Sequence, residues 1–153
     1  MRERGLTVIE LLIVFSILGI LASIVTVSFS GFRNNSILSV ETENIVSLIS
    51  QARTDTLSSK DDTVYGIHFE NDRVVLFKGA TFTEPNPDNI EIELDGQINI
   101  NNISLNGGGD DVLFKRLTGK TDEHGTITIS LTTNASSSRL ISIYSTGLVD
   151  VNE

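Results

Sequence analysis

Gly5-Leu6-Thr7-Val8-Ile9-Glu10-Leu11-Leu12-Ile13-Val14-Phe15-Ser16-Ile17-Leu18-Gly19-Ile20-Leu21-Ala22-Ser23-Ile24-Val25-Thr26-Val27 is the stretch on which the reading of this chain turns. From Leu6 to Val27 it runs for 22 residues with a single charge, Glu10. A helix rises 1.5 Å per residue, so the run is about 33 Å long, the thickness of a bilayer's hydrocarbon core. Arg2 and Arg4 stand on its near side with no matching cluster just beyond it, which predicts a cytoplasmic N-terminus. A secretory signal peptide has a shorter apolar region with a small-residue cleavage site after it. Here the run is too long for that, and Ala22-Ser23 lies inside it. A plain single-span anchor fits the length but gives Glu10 no purpose. A carboxylate inside an apolar span is expensive and marks a function with a partner.

Outside this run the chain changes character. Residues 1–35 hold three basic and two acidic residues, a net charge of +1, whereas residues 36–153 hold 8 basic and 18 acidic residues, a net of −10. An acidic body repels phosphate backbones over its averaged surface, so no nucleic-acid partner is expected. Cysteine is absent, which removes disulfides, thiolate metal sites and a cysteine nucleophile. The roughly 115 residues beyond the N-terminal block are enough to build a core without such staples.

The order Gly5, then Leu6-Thr7-Val8-Ile9-Glu10-Leu11-Leu12-Ile13-Val14, resembles the prepilin motif of type IV pilins and type II secretion pseudopilins. In that family a short basic leader ends in glycine, and a membrane-embedded prepilin peptidase cuts after the glycine and methylates the new N-terminus. The resemblance implies a cut between Gly5 and Leu6 and places Glu10 fifth in the mature chain. The first mature residue of the family is usually phenylalanine; here it is Leu6. The late proline often found in the family's span is missing from Ser23 to Phe32. The physical sense of the motif is that the freed amine of Leu6 is a cation facing lipid. Glu10 of a neighbouring subunit neutralises it, turning two costly isolated charges into one pair. That pairing would set the stagger of subunits in a filament.

Ser28 to Ser36 reads as a polar transition, either helical with a weak point at Gly31 or a short break. Ile37, Val40, Ile45, Leu48, Ile49 and Ala52 then recur at helical spacing, predicting an amphipathic helix over about Ser36 to Leu57. From Thr63 the period becomes two. Val64 to Phe69, the turn Glu70-Asn71-Asp72 and Arg73 to Lys78 predict a hairpin. Gly79 to Asn89, with both prolines, is a loop. Ile90 to Leu94 alternates, and Ile98 to Leu105 continues the pattern. Asn106 to Asp111 is a Gly-rich loop, Val112-Leu113-Phe114 a short strand and Gly119 to Gly125 a turn region. Thr126 to Leu131 and Leu140 to Tyr144 form a last pair joined by a mobile loop holding Ser136-Ser137-Ser138, and Gly147 precedes Leu148-Val149-Asp150-Val151. The result is an antiparallel β head of seven to nine short strands.

The strand order and the hydrophobic–Gly–hydrophobic ending at Gly147 resemble the GspH/FimT family of minor pilins and pseudopilins. The resemblance implies an α+β fold: a long hydrophobic, then amphipathic, N-terminal helix packed on a sandwich-like antiparallel head. Some members carry basic residues in the final segment and take up DNA. Here Leu148, Asp150 and Glu153 occupy it, so that property does not carry over.

The remaining chemistry is sparse. His68 and His124 are 56 residues apart and offer no metal or catalytic spacing, and His68 reads as a packed or edge residue. The doublets Asp61-Asp62, Asp110-Asp111 and Asp122-Glu123 could supply calcium oxygens, but none has an EF-hand-type spacing, so a solvated surface is expected. Gly107-Gly108-Gly109 is followed by no Lys-Ser/Thr and is not a phosphate loop. No nucleophile stands with a base, so neither an enzyme nor a cofactor is expected. The sequence thus predicts a leader at 1–5, a transmembrane and assembly helix at 6–27, its amphipathic continuation at 28–57 and a β-rich head at 58–153. The function expected is a minor pilin or pseudopilin subunit, with Gly5 and Leu6 as processing residues and Glu10 as the assembly residue. Its expected partners are the prepilin peptidase, other pilin-like subunits and the inner membrane, with the head extracytoplasmic. The alternative is a membrane-anchored extracytoplasmic β domain that binds a surface ligand or serves DNA uptake.

Overall fold

The computed structural model describes residues 7–152, except the side chains of 24–31. Helix α1 spans Val8–Leu57, so the stretch around Gly31 is helical rather than a break. The chain divides into two compact units, Met1–Ser36 and Ile37–Glu153. The second holds the last part of α1 and every strand.

In that unit the buried face of α1 is Leu38, Thr42, Ile45, Leu48, Ile49, Ala52 and Thr56. Steps of three and four put these residues on one stripe. The upstream end of the stripe differs from the hydrophobic reading: Leu38 is buried, whereas Val40 is 54 % exposed. Two threonines, Thr42 and Thr56, lie within the buried stripe. The Thr42 hydroxyl donates to the Leu38 carbonyl at 2.6 Å, and Thr56 Oγ1 accepts the Tyr65 amide at 2.9 Å. With their polar atoms bonded, both can be buried without the cost of an orphaned hydroxyl.

Eight strands follow: β1 (Tyr65–Phe69), β2 (Arg73–Lys78), β3 (Ile90–Glu93), β4 (Ile98–Leu105), β5 (Asp111–Leu113), β6 (Gly125–Leu131), β7 (Asn134–Ile143) and β8 (Val149–Asn152). They form two antiparallel four-stranded sheets, ordered β3-β2-β1-β5 and β4-β6-β7-β8. The stripe of α1 and the inner faces of both sheets share one core, including Ile67, Phe69, Val74, Leu76, Val112, Ile127, Ile129 and Ile141.

β4 carries a change of phase. Ile98 and Ile100 face the core, and so do Ile103 and Leu105, although a strict period of two would turn the second pair outward. The register with β6 shifts between Ile100 and Asn102, so Asn101 is the extra residue of a β-bulge. Its amide hydrogen-bonds the hydroxyl of the fully buried Ser130.

The first sheet is covered on its outer face as well. Gly66 pairs with Phe77, and a Cβ at Gly66 would stand 2.4 Å from the Phe77 ring. The ring therefore lies where only glycine leaves room. Phe82, from the segment between β2 and β3, meets Phe77 edge-on at 5.7 Å and stacks on His68 at 4.0 Å.

Ser136-Ser137-Ser138 is part of β7, not a mobile loop. Ser138 lies opposite Ser130, and the register jumps from there to Asn134 opposite Leu131, which leaves residues 135–137 in a bulge. Serine has no strong strand preference, so local composition points to a loop; the strand exists because β6 offers a partner ladder.

Close contact between β4 and β6 makes Gly125 the most restrictive glycine on this sheet, since a Cβ there would lie 2.0 Å from the Ser104 carbonyl oxygen. Gly125→Ala should lower stability by roughly 3 kcal/mol, while Gly96→Ala, which meets nothing within 4 Å, should change it by less than about 0.5 kcal/mol. Thermal or denaturant unfolding of the two variants checks the difference.

Candidate functional site

Gly5 and Leu6 lie outside the described residues. The description begins at Thr7, which caps α1. The Glu10 amide donates to Thr7 Oγ1 at 3.3 Å, and the first helical bond runs from the Leu11 amide to the Thr7 carbonyl at 3.2 Å. Thr7 is thus the N-cap and Glu10 the third helical residue, the arrangement of a capping box. A carboxylate at this position also suits the positive end of the helix. The signal Thr-x-x-Glu was open to sequence reading and was passed over.

Every described side chain from Thr7 to Ser23 is exposed, among them Val8, Ile9, Leu11, Leu12, Ile13, Phe15, Ile17 and Leu18. The hydroxyls inside this run turn back onto the helix. Ser16 donates to the Leu12 carbonyl at 2.8 Å, and Ser23 to the Ile20 carbonyl at 2.8 Å. The surface offered outward is therefore apolar, with its polar atoms satisfied internally, which is what an oily environment or a sister helix requires. Among the described residues no helix is long and apolar enough to cross a membrane; the last residues of the run, 24–27, lie outside the described side chains.

The head brings its titratable groups together as ion pairs. His68 Nδ1 is 2.5 Å from Asp111 Oδ1 and its Nε2 is 3.5 Å from Glu70. The two carboxylates hold one ring, and Phe82 covers its face. The guanidinium of Arg73 bonds Glu70 at 2.7 Å and Glu84 at 2.7 Å and reaches Glu91 at 3.4 Å. Hydrogen bonds from Arg73 hold the Glu70 carboxyl below its usual range. The three acidic doublets differ in their partners. Asp61 binds Lys78 at 2.9 Å and the Tyr65 hydroxyl at 2.9 Å, and Asp62 binds Arg116 at 2.5 Å. Those bonds lower the Asp61 carboxyl, chiefly through Lys78, while burial and the bond to Asp61 push the Tyr65 phenol up to about 12. Asp122 binds Lys115 at 2.6 Å. Glu123 accepts from the Thr121 hydroxyl at 2.9 Å. Among the described residues no group of three or more His, Cys, Asp or Glu could hold a metal ion. His124 Nδ1 lies 3.0 Å from the Asp122 carbonyl oxygen.

Gly147 has a structural task that its sequence pattern only hints at. With φ at +77° it forms a turn in which its amide bonds the Tyr144 carbonyl, and a Cβ there would stand 1.9 Å from the Gly119 carbonyl. That carbonyl accepts from Arg53 Nε on α1 at 3.2 Å. Three distant segments are tied at one point, and Arg53 and Gly119 carried no sequence signal for it. On the side of α1, Ser39, Thr42, Val46, Arg139 and Val151 line a groove of about 460 Å³.

A family model described as the prokaryotic N-terminal methylation motif matches residues 1–26. The fold is similar to that of the type IV minor pilin FimU of Pseudomonas aeruginosa, with a TM-score of 0.59 and 13% identity, covering 76% of this chain and 93% of that one. No curated protein sequence matches the chain. The chain thus joins an N-terminal methylation motif to a fold similar to that of a type IV minor pilin, with a helix packed on antiparallel sheets.

Loss of the Thr7 cap should loosen the first turn. Thr7→Val should raise the exchange rate of the Glu10 amide about tenfold, while Thr7→Ser leaves it near the parent value. Hydrogen exchange on the membrane-reconstituted chain checks this.

Proposed function

We propose that this chain is a minor pilin or pseudopilin subunit that sits in the inner membrane as a single pass and is assembled after cleavage between Gly5 and Leu6. The observation that supports it most is the methylation motif at residues 1–26 in front of a pilin-like head. In this reading residues 1–5 are the leader and 6–27 the membrane and assembly helix. Residues 28–57 are its amphipathic continuation, and 58–153 the head, which is extracytoplasmic. FimU, the structural relative, is a type IV minor pilin, which favours a pilus role over the type II secretion pseudopilus.

The chemistry follows from the cost of isolated charges in lipid. Cleavage would create a cationic amine on Leu6, four residues before Glu10. The amine and the carboxylate of a neighbouring subunit form a pair that neither can form with hydrocarbon. The pairing couples processing to assembly, because an uncut chain has no amine at Leu6. The exposed apolar surface from Val8 to Leu21 then packs on sister helices. The proposed partners are the prepilin peptidase and other pilin-like subunits.

Mass spectrometry of the N-terminus, with and without the prepilin peptidase, tests the reading. The mature chain should begin at Leu6 and carry one extra methyl group; retention of residues 1–5 in the presence of the peptidase would overturn it. Glu10→Ala should still be cleaved but should enter filaments far less than the parent, which immunoblotting of sheared filaments against whole cells measures.

A further inference from the structure

We propose that Asn106-Gly107 is a self-modifying site: the folded chain converts the Asn106 side-chain amide to a carboxylate, with water as the only co-reactant, and the product frees the β4–β5 loop from the turn it is tied to. The pair is the single Asn-Gly step in the sequence. It opens the loop Asn106 to Asp110, which carries the chain from β4 in one sheet to β5 in the other. Every residue of that loop is exposed. Gly107, Gly108 and Gly109 have φ at +89°, +73° and +95°, a path that glycine follows without strain. The hydrogen bonds of the loop skip one donor. The Asn106 amide bonds the His124 carbonyl at 2.8 Å, and the Gly108 amide bonds the Leu105 carbonyl at 3.1 Å. The Gly107 amide between them has no hydrogen-bond partner among the described residues. An exposed N–H without a partner is open to base.

That nitrogen is the nucleophile the conversion needs. Covalent connection holds it close to Asn106 Cγ, and such proximity raises an intramolecular rate by orders of magnitude. Glycine also leaves it unshielded, having no Cβ beside it. Once base removes its proton, the Gly107 nitrogen attacks Cγ and closes a succinimide ring. The N–Cγ bond forms, the Cγ–Nδ2 bond breaks, and ammonia leaves with protons returned by the solvent. Water then adds to either ring carbonyl and breaks its bond to the Gly107 nitrogen, which regains a proton. Opening at Cγ gives aspartate, and opening at the main-chain carbonyl gives isoaspartate. The net change is amide plus water to carboxylate plus ammonium, with nothing oxidised or reduced. The product cannot do what the amide did. Asn106 Nδ2 donates to the Asp122 carbonyl at 2.9 Å, which ties the loop to the turn at 122–124. An ionised carboxylate has no proton to donate, so it meets that carbonyl oxygen as one acceptor against another. The formal net charge falls from −9 to −9 − 1 = −10, a few residues from Asp110 and Asp111. A tie is lost and repulsion is added at the same point. Water does not reverse the step, so the converted fraction records the age of the molecule.

Peptide mass mapping of the full-length chain in detergent micelles, kept warm at mildly alkaline pH and sampled over weeks, tests the proposal. Asn106 should gain about one mass unit, with part of the product as isoaspartate. The rate should rise roughly tenfold per pH unit, because the attacking nitrogen must first lose its proton. Asn71, Asn102 and Asn134 are also exposed but precede Asp72, Ile103 and Ala135, and they serve as internal references. The same chain unfolded in urea gives the unprotected rate, and the folded chain should convert within about tenfold of it. Conversion of Asn106 no faster than that of the reference asparagines, or conversion in urea alone, would overturn the proposal. Gly107→Ala should slow the step about tenfold or more, whereas Gly108→Ala, at a glycine of similar backbone, should leave it within about twofold. Equal rates in the two variants would overturn ring closure through the Gly107 nitrogen. Release of the loop is read from Asn106→Asp, in which protection of the residue 106 amide against hydrogen exchange should fall about tenfold while that of Ile129 in β6 stays at the parent value. Equal protection at residue 106 in variant and parent would refute the release.

Discussion

One buried stripe of helix organises the head. Leu38, Ile45, Ile49 and Ala52 are at most 2 % exposed, and they share a core with the inner faces of both sheets. Each sheet by itself would expose a row of isoleucines, valines and phenylalanines. Fully burying one such side chain is worth about 1.5–3 kcal/mol, so covering both rows with one helix is the largest favourable term available. The stripe also explains why Thr42 and Thr56 are tolerated in it. Each hydroxyl closes on a backbone group within reach, and Thr56 in addition joins the helix to β1.

The rest of the head is arranged around that core by small, local devices. Gly66 lets Phe77 lie across the outer face of its sheet, and Phe82 covers the ring. Arg73 gathers three glutamates and so secures the segment between β2 and β3. These pairs are partly or fully exposed, and exposed pairs contribute little individually. Their effect is to place charge rather than to hold the fold.

Legibility varied with the range of the cause. The hairpin of β1 and β2 was readable because alternation and the Glu70-Asn71-Asp72 turn are both local, and the strands observed are Tyr65–Phe69 and Arg73–Lys78. The α+β class followed from the change of period after Leu57. The upstream end of the helical stripe was misplaced because hydrophobicity favours Val40 over Thr42, and only a bonded hydroxyl reverses that order. The serines of β7 were read as a loop because their strand depends on β6. Thr7 was overlooked although its capping pattern is local. The tie of Arg53, Gly119 and Gly147 was beyond sequence reasoning, since its members are 66 and 28 residues apart and each is unremarkable in its own surroundings.

By itself the sequence determined the apolar N-terminal run, the single carboxylate within it, the switch from helical to alternating period and the acidic balance of the body. All of these depend on neighbours within a few residues, which is the range of helix and strand periodicity. Tertiary structure decided which strands share a sheet, that β5 joins β1 while β4 joins β6, and that a bulge at Asn101 keeps both halves of β4 facing inward. It also decided that Arg53, Gly119 and Gly147 meet at one point. Those outcomes depend on the meeting of residues far apart in the chain, whose pairing is set by which faces must be buried together.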